Sequence, residues 1–241
     1  MFKRLPLLLL IAGSAHAADV AEILKKADSF RMPGGATQIE TLVQTFKDGR
    51  PDREKRYTVL ARPDGKSLVL FRSPGEAGQK VLMSGDDFWM LMPGSARPIR
   101  ITPLQKLLGD AATGDIATMT WSGDYAGTVG RDVDIDGVPC VELDLAALRK
   151  GQSYQRVVLH VAKADYRPVH ADLYAASNRK LKEARYELGQ VGFRTIVQRM
   201  TLTDAVQTAR HTVVTTISST PRPLADALFN PMTLNRGDVA P

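Results

Sequence analysis

Asp132, Asp134 and Asp136, followed by Gly137 in the stretch DVDIDG, carry the alternating carboxylates with which a calcium loop begins. Such a loop takes oxygen ligands from its first, third and fifth positions, turns sharply at a glycine and closes with a bidentate glutamate at the twelfth. The twelfth position here is Leu143 and Pro139 interrupts the loop, so an Asp-Gly turn between strands is the better reading. His160 and His170 flank Asp165; a hairpin centred there sets the two imidazoles opposite one another, with Asp165 and Asp172 as the nearest further ligands. No group to orient the rings can be named, so a solvated cross-strand pair is expected and no metal site. Ser177-Asn178-Arg179-Lys180 has the Ser-x-x-Lys spacing in which a lysine helps to activate a serine, but neither Ser-Asp-Asn nor Lys-Thr-Gly follows. The chain has no Gly-x-Ser-x-Gly elbow and no His-Glu-x-x-His pair. Cys140, the one cysteine, stands beside apolar Val138 and Val141, where buried packing is expected rather than a reactive thiol. No nucleophile, acid-base pair or metal set assembles, so neither an enzyme nor a bound cofactor is expected.

The start of the chain speaks to its destination. Met1-Phe2-Lys3-Arg4, an apolar run from Leu5 to Ala12 and the small residues Gly13 to Ala17 read as a cleavable secretory signal over residues 1–17, with an Ala-x-Ala site at Ala15-His16-Ala17. Residues 18–241 are then expected to form one mature domain. The apolar run is well short of the roughly 20 residues that span a bilayer. No cysteine follows the cut to take a lipid anchor, and a single cysteine allows no internal disulfide. The periplasm of a Gram-negative-type envelope is the expected location. With 32 Lys and Arg against 26 Asp and Glu, the formal charge is +6, scattered without a dense basic run. Nucleic acid is therefore not an expected partner, while weak attraction to anionic membrane surfaces stays open.

The elements that must position any site are mostly strands. Val20, Ile23, Leu24, Ala27 and Phe30 follow helical spacing from Ala18 to Arg31, and Met32-Pro33-Gly34-Gly35 ends the pattern. Strand signals follow in TQIETLVQTF, KRYTVLAR, KSLVLFR, QKVLMS and FWMLMP, separated by turns at Asp48-Gly49, Pro63-Asp64-Gly65, Ser73-Pro74-Gly75 and Gly85-Asp86-Asp87. Between Pro98 and Tyr125 the pattern breaks, and one or two short helices or an ordered loop are expected there. Strands resume through TVGRDVDIDGVPCVELDL, YQRVVLHVA, RPVHADLYA, KLKEARYEL, FRTIVQRMTLTDA and RHTVVTTISST, with turns at Asp136-Gly137, Ala164-Asp165 and Ser177-Asn178. LADALFNPMTLNR reads as a short terminal helix or a packed tail. The class is mainly β within α+β: a curved antiparallel sheet forming an incomplete barrel, closed by a few helices.

GDDFWMLMPG, residues 85–94, does not alternate as a half-buried strand does. Phe88, Met90 and Met92 share one face, Trp89 and Leu91 the other, and Leu68 with Leu70 opposes Val69 with Phe71 in KSLVLFR. Two arrangements cover both faces: packed layers on each side, or a packed layer on one and an apolar cavity on the other. Methionine is unbranched and polarizable and suits an irregular ligand. The expected lining is Leu68, Leu70, Val81, Met83, Phe88, Met90 and Met92, with Trp89 and Leu91 as the alternative face and Met119 and Trp121 under a lid.

The run KSLVLFRSPGEAGQKVLMSGDDFWMLMP, with RPIRITPLQKLLGDAATGDIA and IDGVPCVELDL after it, resembles the LolA-like outer-membrane lipoprotein-sorting family in the order and spacing of its Pro-containing turn, Gly-Gln-Lys, Gly-Asp-x-x-Trp, Gly-Asp and Asp-Gly elements. The resemblance spans most of the mature chain. It implies a periplasmic half-barrel with an apolar cavity for the acyl chains of a lipoprotein or lipid. It also implies, as partners, an inner-membrane transporter and an outer-membrane acceptor. Two departures stand out: Gly109 to Ile116 lacks the aromatic residue common in relatives, and His160 stands where tryptophan is common. The function expected is a carrier moving acyl chains towards the outer membrane; the alternative is an envelope interaction or sensor module of the same fold without lipid cargo.

Overall fold

The computed structural model describes residues 15–32, 34–102, 113–117 and 120–236. Its first element, α1 (Ala15–Ser29), carries the stripe Val20, Ile23, Leu24 and Ala27, all buried. That spacing puts four apolar side chains on one face of a helix and lets it lie against a sheet. Thirteen strands follow: β1 (Thr37–Lys47), β2 (Arg50–Ala61), β3 (Lys66–Phe71), β4 (Lys80–Ser84), β5 (Asp87–Leu91), β6 (Ile99–Ile101), β7 (Tyr125–Ile135), β8 (Val138–Ala147), β9 (Arg156–Ala162), β10 (Pro168–Tyr174), β11 (Lys180–Val191), β12 (Arg194–Asp204) and β13 (Arg210–Pro221). They form one antiparallel sheet in the order β6-β5-β4-β3-β2-β1-β13-β12-β11-β10-β9-β8-β7. Two meanders thus lie side by side, joined where β1 pairs with β13. The sheet does not close, and β6 and β7 are its two edges.

Turn chemistry fixes the hairpins. Asp48 and Gly49 have φ of 51° and 72°, and Asp136 and Gly137 have 52° and 81°. Two residues with positive φ are what a type I′ turn demands, and its twist matches that of the flanking strands. The expected turns at Asp48-Gly49 and Asp136-Gly137 are therefore present, and Asn178 takes φ of 58° at the expected turn between β10 and β11. The region expected to hold only helix or loop after Pro98 contains the edge strand β6 as well as a short helix, α2 (Thr113–Ala117). β6 is three residues long and Ile99 and Arg100 are exposed, so its alternation is too brief to register in the sequence. Residues 1–14, which carry most of the expected secretory signal, and Met119 lie outside the described residues. No helix among the described residues is long and apolar enough to cross a membrane.

Cross-strand register decides which face each apolar residue occupies. Val69 pairs with Val81 and Val81 with Met90; Met83 pairs with Phe88 and Phe88 with Ile101. These side chains face inward, into the same core as the stripe of α1. Leu60 pairs with Leu68, Leu68 with Leu82 and Leu82 with Trp89, on the outer face. There the C-terminal segment crosses in two 3-10 turns, Asp226–Phe229 and Pro231–Thr233, and lays Phe229 and Leu234 over Leu60, Leu68, Leu70, Leu82 and Leu91. Both faces of DFWML are apolar because each is covered, one by the helix-capped core and the other by the chain's own tail. The packing on the outer face predicts that Leu82→Ala, at a fully buried position, lowers stability by about 2–5 kcal/mol in urea unfolding, whereas Met232→Ala, at an exposed one, stays within about 0.5 kcal/mol.

Candidate functional site

The inner face is closed by two short pieces of helix, each fastened by polar contacts. Asp28, near the end of α1, is buried, and its Oδ1 accepts the Trp121 N–H at 2.7 Å. Its Oδ2 accepts the Ser122 N–H at 2.8 Å and the Ser122 hydroxyl at 2.5 Å. A carboxylate at a helix C-terminus opposes the helix dipole, so these three donors are what make the position tenable. Burial raises the Asp28 carboxyl above its ordinary range, and the Ser122 and Trp121 donors oppose that shift. The next turn places the Arg31 guanidinium 4.3 Å over the Trp121 ring, and Phe30 accepts the Val197 N–H from β12 at 2.6 Å.

α2 is held differently. Asp115 is buried, and its Oδ2 meets the Lys182 ammonium of β11 at 2.5 Å. Its Oδ1 accepts the Tyr154 hydroxyl, also at 2.5 Å. The backbone carbonyl of Ala117, at the other end of the helix, accepts from the buried Ser67 hydroxyl of β3 at 3.1 Å. One five-residue helix therefore touches β3 on one side and β11 on the other, which requires the sheet to curl around it. Burial raises the Tyr154 hydroxyl well above its ordinary value, and the Asp115 charge adds to the shift. Tyr186 is pushed up to about 12, chiefly by burial. Both hydroxyls are protonated at neutral pH, and that of Tyr154 donates to Asp115.

Two small cavities lie beneath these helices. The first, about 50 Å³, is lined by Ile39, Val59, Ile116, Val197, Met200 and Val214, with Thr41 and Thr216 beside them. The second, about 40 Å³, is lined by Trp121, Tyr125, Ser153, Tyr154 and Tyr186 among others. Arg31, Asp115 and Met200 border both. The Ser153 hydroxyl oxygen is buried with no hydrogen-bond partner among the described residues. A third cavity of about 200 Å³ lies on the outer face under the tail, where Lys80 donates to the Leu234 carbonyl at 3.1 Å.

The residues expected to line one cavity are divided by the fold. Val81, Met83, Phe88 and Met90 sit on the inner face, within or against the core. Leu68, Leu70, Trp89 and Leu91 sit on the outer face, and Leu68 borders the outer cavity. Met92 lies just past β5 and is exposed. Trp121 lines the second inner cavity; Val81, Met83, Phe88 and Met90 line neither of the two. The first inner cavity lies instead over the middle strands β1, β2, β12 and β13, and the second over β9 to β12. Met200 could have been found from its alternation with Leu202, both of them buried. Val197 could not, because it reaches the cavity through a break in register that skips Gln198.

The residues that invite chemistry elsewhere disperse. Asp132 pairs with Lys163 at 2.6 Å, Asp134 accepts the Gly137 N–H at 2.7 Å and Asp136 pairs with Arg185. His160 and His170 do face one another across β9 and β10, their Nδ1 atoms 3.3 Å apart. Glu142 flanks His160, and Asp172 and Glu183 flank His170. Among the described residues no cluster of three or more His, Cys, Asp or Glu is arranged to hold a metal ion. Burial pushes the Cys140 thiol up.

A LolA superfamily protein from Nitrosomonas europaea is 31% identical, with a TM-score of 0.80 over 90% of this chain and 98% of that one. The chain belongs to the LolA superfamily. A family model described only as an uncharacterized protein matches residues 63–236. A domain from Vibrio parahaemolyticus named for outer membrane lipoprotein sorting shares the fold at 22% identity and a TM-score of 0.72, covering 91% of this chain and 100% of that one. So does a DUF1329 family protein from Desulfovibrio piger, at 21% and 0.71, covering 91% and 98%. No protein of curated function matches. The open thirteen-stranded sheet with few helices is the LolA-like fold expected from the residues.

Two outcomes follow. Lys182→Met strands the Asp115 charge in the LolA-like interior, where breaking a buried pair costs about 3–5 kcal/mol; the loss is met by local opening, so amide exchange over 113–117 accelerates by about a hundredfold or more while the outer strands are unchanged. Burial lowers His170 below its ordinary value of 6.5, against Asp172 and Glu183. The folded chain then binds a proton less readily than the unfolded one, so the stability involved is present above that value and lost as pH falls through it. Urea unfolding on the acid side of about pH 6.5 should show a shallower loss in His170→Gln than in the parent.

Proposed function

We propose that this LolA superfamily member is a periplasmic carrier that takes the acyl chains of a lipoprotein or lipid between its sheet and its two helices, without catalysis, and moves them towards the outer membrane. The observation that carries this reading is the apolar cavity under α2, bordered by Ile39, Val59, Ile116, Val197, Met200 and Val214. The name of the Vibrio domain, lipoprotein sorting, points the same way. Each buried CH₂ stabilises by about 0.8 kcal/mol, so an acyl chain leaves water readily and needs a device to let it go. That device is α2: among the described residues its polar ties to the rest of the chain are the Asp115–Lys182 pair, the Tyr154 hydroxyl and the Ser67 hydroxyl. Polar contacts of this kind exchange with water at low net cost. Residues 1–17 would be removed on export, leaving residues 18–241 as one lipid-binding domain, with an inner-membrane transporter to load it and an outer-membrane acceptor to receive the cargo.

One observation favours the second reading, an envelope interaction module without cargo. The inner cavities measure about 50 and about 40 Å³, whereas clefts for small ligands run to about 300–1,000 Å³. A carrier must therefore open to load, and a packed interaction module need not. Native mass spectrometry of the protein purified without detergent separates the two. A carrier shows a bound acylated species, or acquires one from lipid micelles, and Ile116→Trp, which fills the cavity from α2, abolishes that adduct while the protein stays folded. A bare mass after incubation, or an adduct unchanged in Ile116→Trp, overturns the carrier reading at this cavity.

A further inference from the structure

Beside the apolar cavity under α2 lies the second, smaller one, and the two share Arg31, Asp115 and Met200 as borders. Their linings differ in kind. The first is mainly aliphatic, whereas the second gathers four residues that carry hydroxyls, Tyr125, Ser153, Tyr154 and Tyr186. Two of these hydroxyls are engaged: Tyr125 donates to the Tyr154 carbonyl at 2.9 Å, and Tyr154 donates to Asp115 Oδ1 at 2.5 Å. The Ser153 hydroxyl oxygen is buried and has no partner among the described residues. A buried hydroxyl left in that condition is costly and rare, so folding alone gives no reason for it.

The loop that carries Ser153, residues 148–155 between β8 and β9, is tied on every side. Arg149 lies 3.0 Å from Asp86 Oδ1 and also pairs with Asp124. The Gln155 side-chain amide donates to the carbonyls of Lys150 and Gln152 at 3.2 and 3.0 Å, and the Gln152 N–H donates to the Arg149 carbonyl at 3.3 Å. A Cβ at Gly151 would stand 2.5 Å from the Asp86 side chain, so the loop presses on the turn between β4 and β5. Tyr154 is held at its carbonyl and at its hydroxyl. With residues on both sides of it fixed, Ser153 is held at the cavity and its hydroxyl is a donor set in place before any ligand arrives. Such a group binds without the entropy of ordering it.

Size and charge limit what can meet it. The second cavity measures about 40 Å³, room for about three water-sized groups at about 10–15 Å³ each. That admits a carbonyl with its linking atom and not a bulky headgroup. Arg31 and Asp115 border the space with opposite charges, so it has no call for an ion. The Tyr186 hydroxyl, pushed up to about 12, stays protonated there. We propose that the second cavity seats the acyl carbonyl of the cargo, the ester or amide that joins chain to headgroup, with Ser153 as its hydrogen-bond donor and the chain itself in the first cavity. The inference rests on the carrier reading and names its ligand class: an acylated lipid, rather than a bare hydrocarbon or a free fatty acid. A ligand without an acceptor leaves the Ser153 hydroxyl unmade and is disfavoured for that reason.

Titration of the protein with methyl dodecanoate, N-methyl dodecanamide, dodecyl methyl ether and dodecanoate, followed by tryptophan emission to which Trp121 at the cavity edge contributes, tests it. The ester and the amide are expected to bind about fivefold more tightly than the ether of like length, the worth of one neutral hydrogen bond, and more tightly than dodecanoate. The stronger of the two identifies the linkage, O-acyl or N-acyl. Ser153→Ala is expected to bring both down to the level of the ether and to leave the ether unchanged. It is also expected to melt no lower than the parent, since the deleted hydroxyl has no partner in the chain alone. Tyr186→Phe is expected to weaken the same preference in part. Equal binding of ester and ether, or a preference untouched in Ser153→Ala, overturns the carbonyl site and leaves the carrier reading standing. A lower melting temperature in Ser153→Ala with the preference intact assigns the hydroxyl to a structural water and overturns the site. Tightest binding of dodecanoate overturns it in favour of a carboxylate beside Arg31. Binding of none of the four, with no adduct in the native mass spectrum, overturns the carrier reading and this site with it.

Discussion

An open sheet thirteen strands wide has one inner face, and that face must be kept from water by something other than strands. In a closed barrel the far wall would do it; here the far wall is missing between β6 and β7, and α1 and α2 stand in its place. The burden on them is unequal. α1 brings four buried apolar side chains, Val20, Ile23, Leu24 and Ala27, and hydrophobic burial of that extent holds it without help. α2, with the sequence TGDIA, brings Ile116 and Ala117. So small an apolar contribution cannot fix five residues against their conformational entropy, which is why its place depends on Asp115, Tyr154, Lys182 and Ser67.

That dependence shapes how the interior can behave. Replacing the Asp115–Lys182 pair by packed apolar residues would often cost nothing or even stabilise, since desolvating two charges consumes most of what their attraction returns. What the pair provides instead is an alternative: pulled apart, both groups are content in water, whereas an apolar helix face pulled from the core is not. The Asp28 contacts to Trp121 and Ser122 have the same character at the other helix, although there the apolar stripe remains as a second restraint. The fold therefore holds one cover firmly and the other by contacts that water can replace, and the cavity lies beneath the second.

Much of this was legible in the residues, and what was not has definite causes. Two-residue turns are local chemistry, so Asp48-Gly49 and Asp136-Gly137 announce their hairpins, and the 3.6-residue stripe announces α1, which the structure extends from Ala15 to Ser29 rather than from Ala18 to Arg31. The loss of alternation over residues 66–92 correctly marks a segment covered on both faces. Its faces could not be matched between strands, because the loop of residues 72–79 sets whether Leu68 meets Leu82 or its neighbours, and loop conformation is not written in alternation. Leu68 and Leu70 consequently belong with Trp89 and Leu91 and not with Val81 and Met83. The pairing of β1 with β13, which brings the cavity residues together from opposite ends of the chain, is a contact of long sequence separation that no local pattern encodes.

The two apolar faces of β3 to β5 consequently have different fates. On the outer face Phe229 and Leu234 seal Leu60, Leu68 and Leu82 by ordinary burial, and the ion pair of Arg62 with Asp226 fastens the start of that tail beside them. Opening it would expose a row of leucines with nothing to replace the lost contacts. On the inner face the same strands pack Val69, Val81 and Phe88 into the core that α1 helps to close, so methionines that look adaptable in the sequence, Met83 and Met90, serve as packing. On the inner face the first cavity lies where the cover is α2, over β1, β2, β12 and β13.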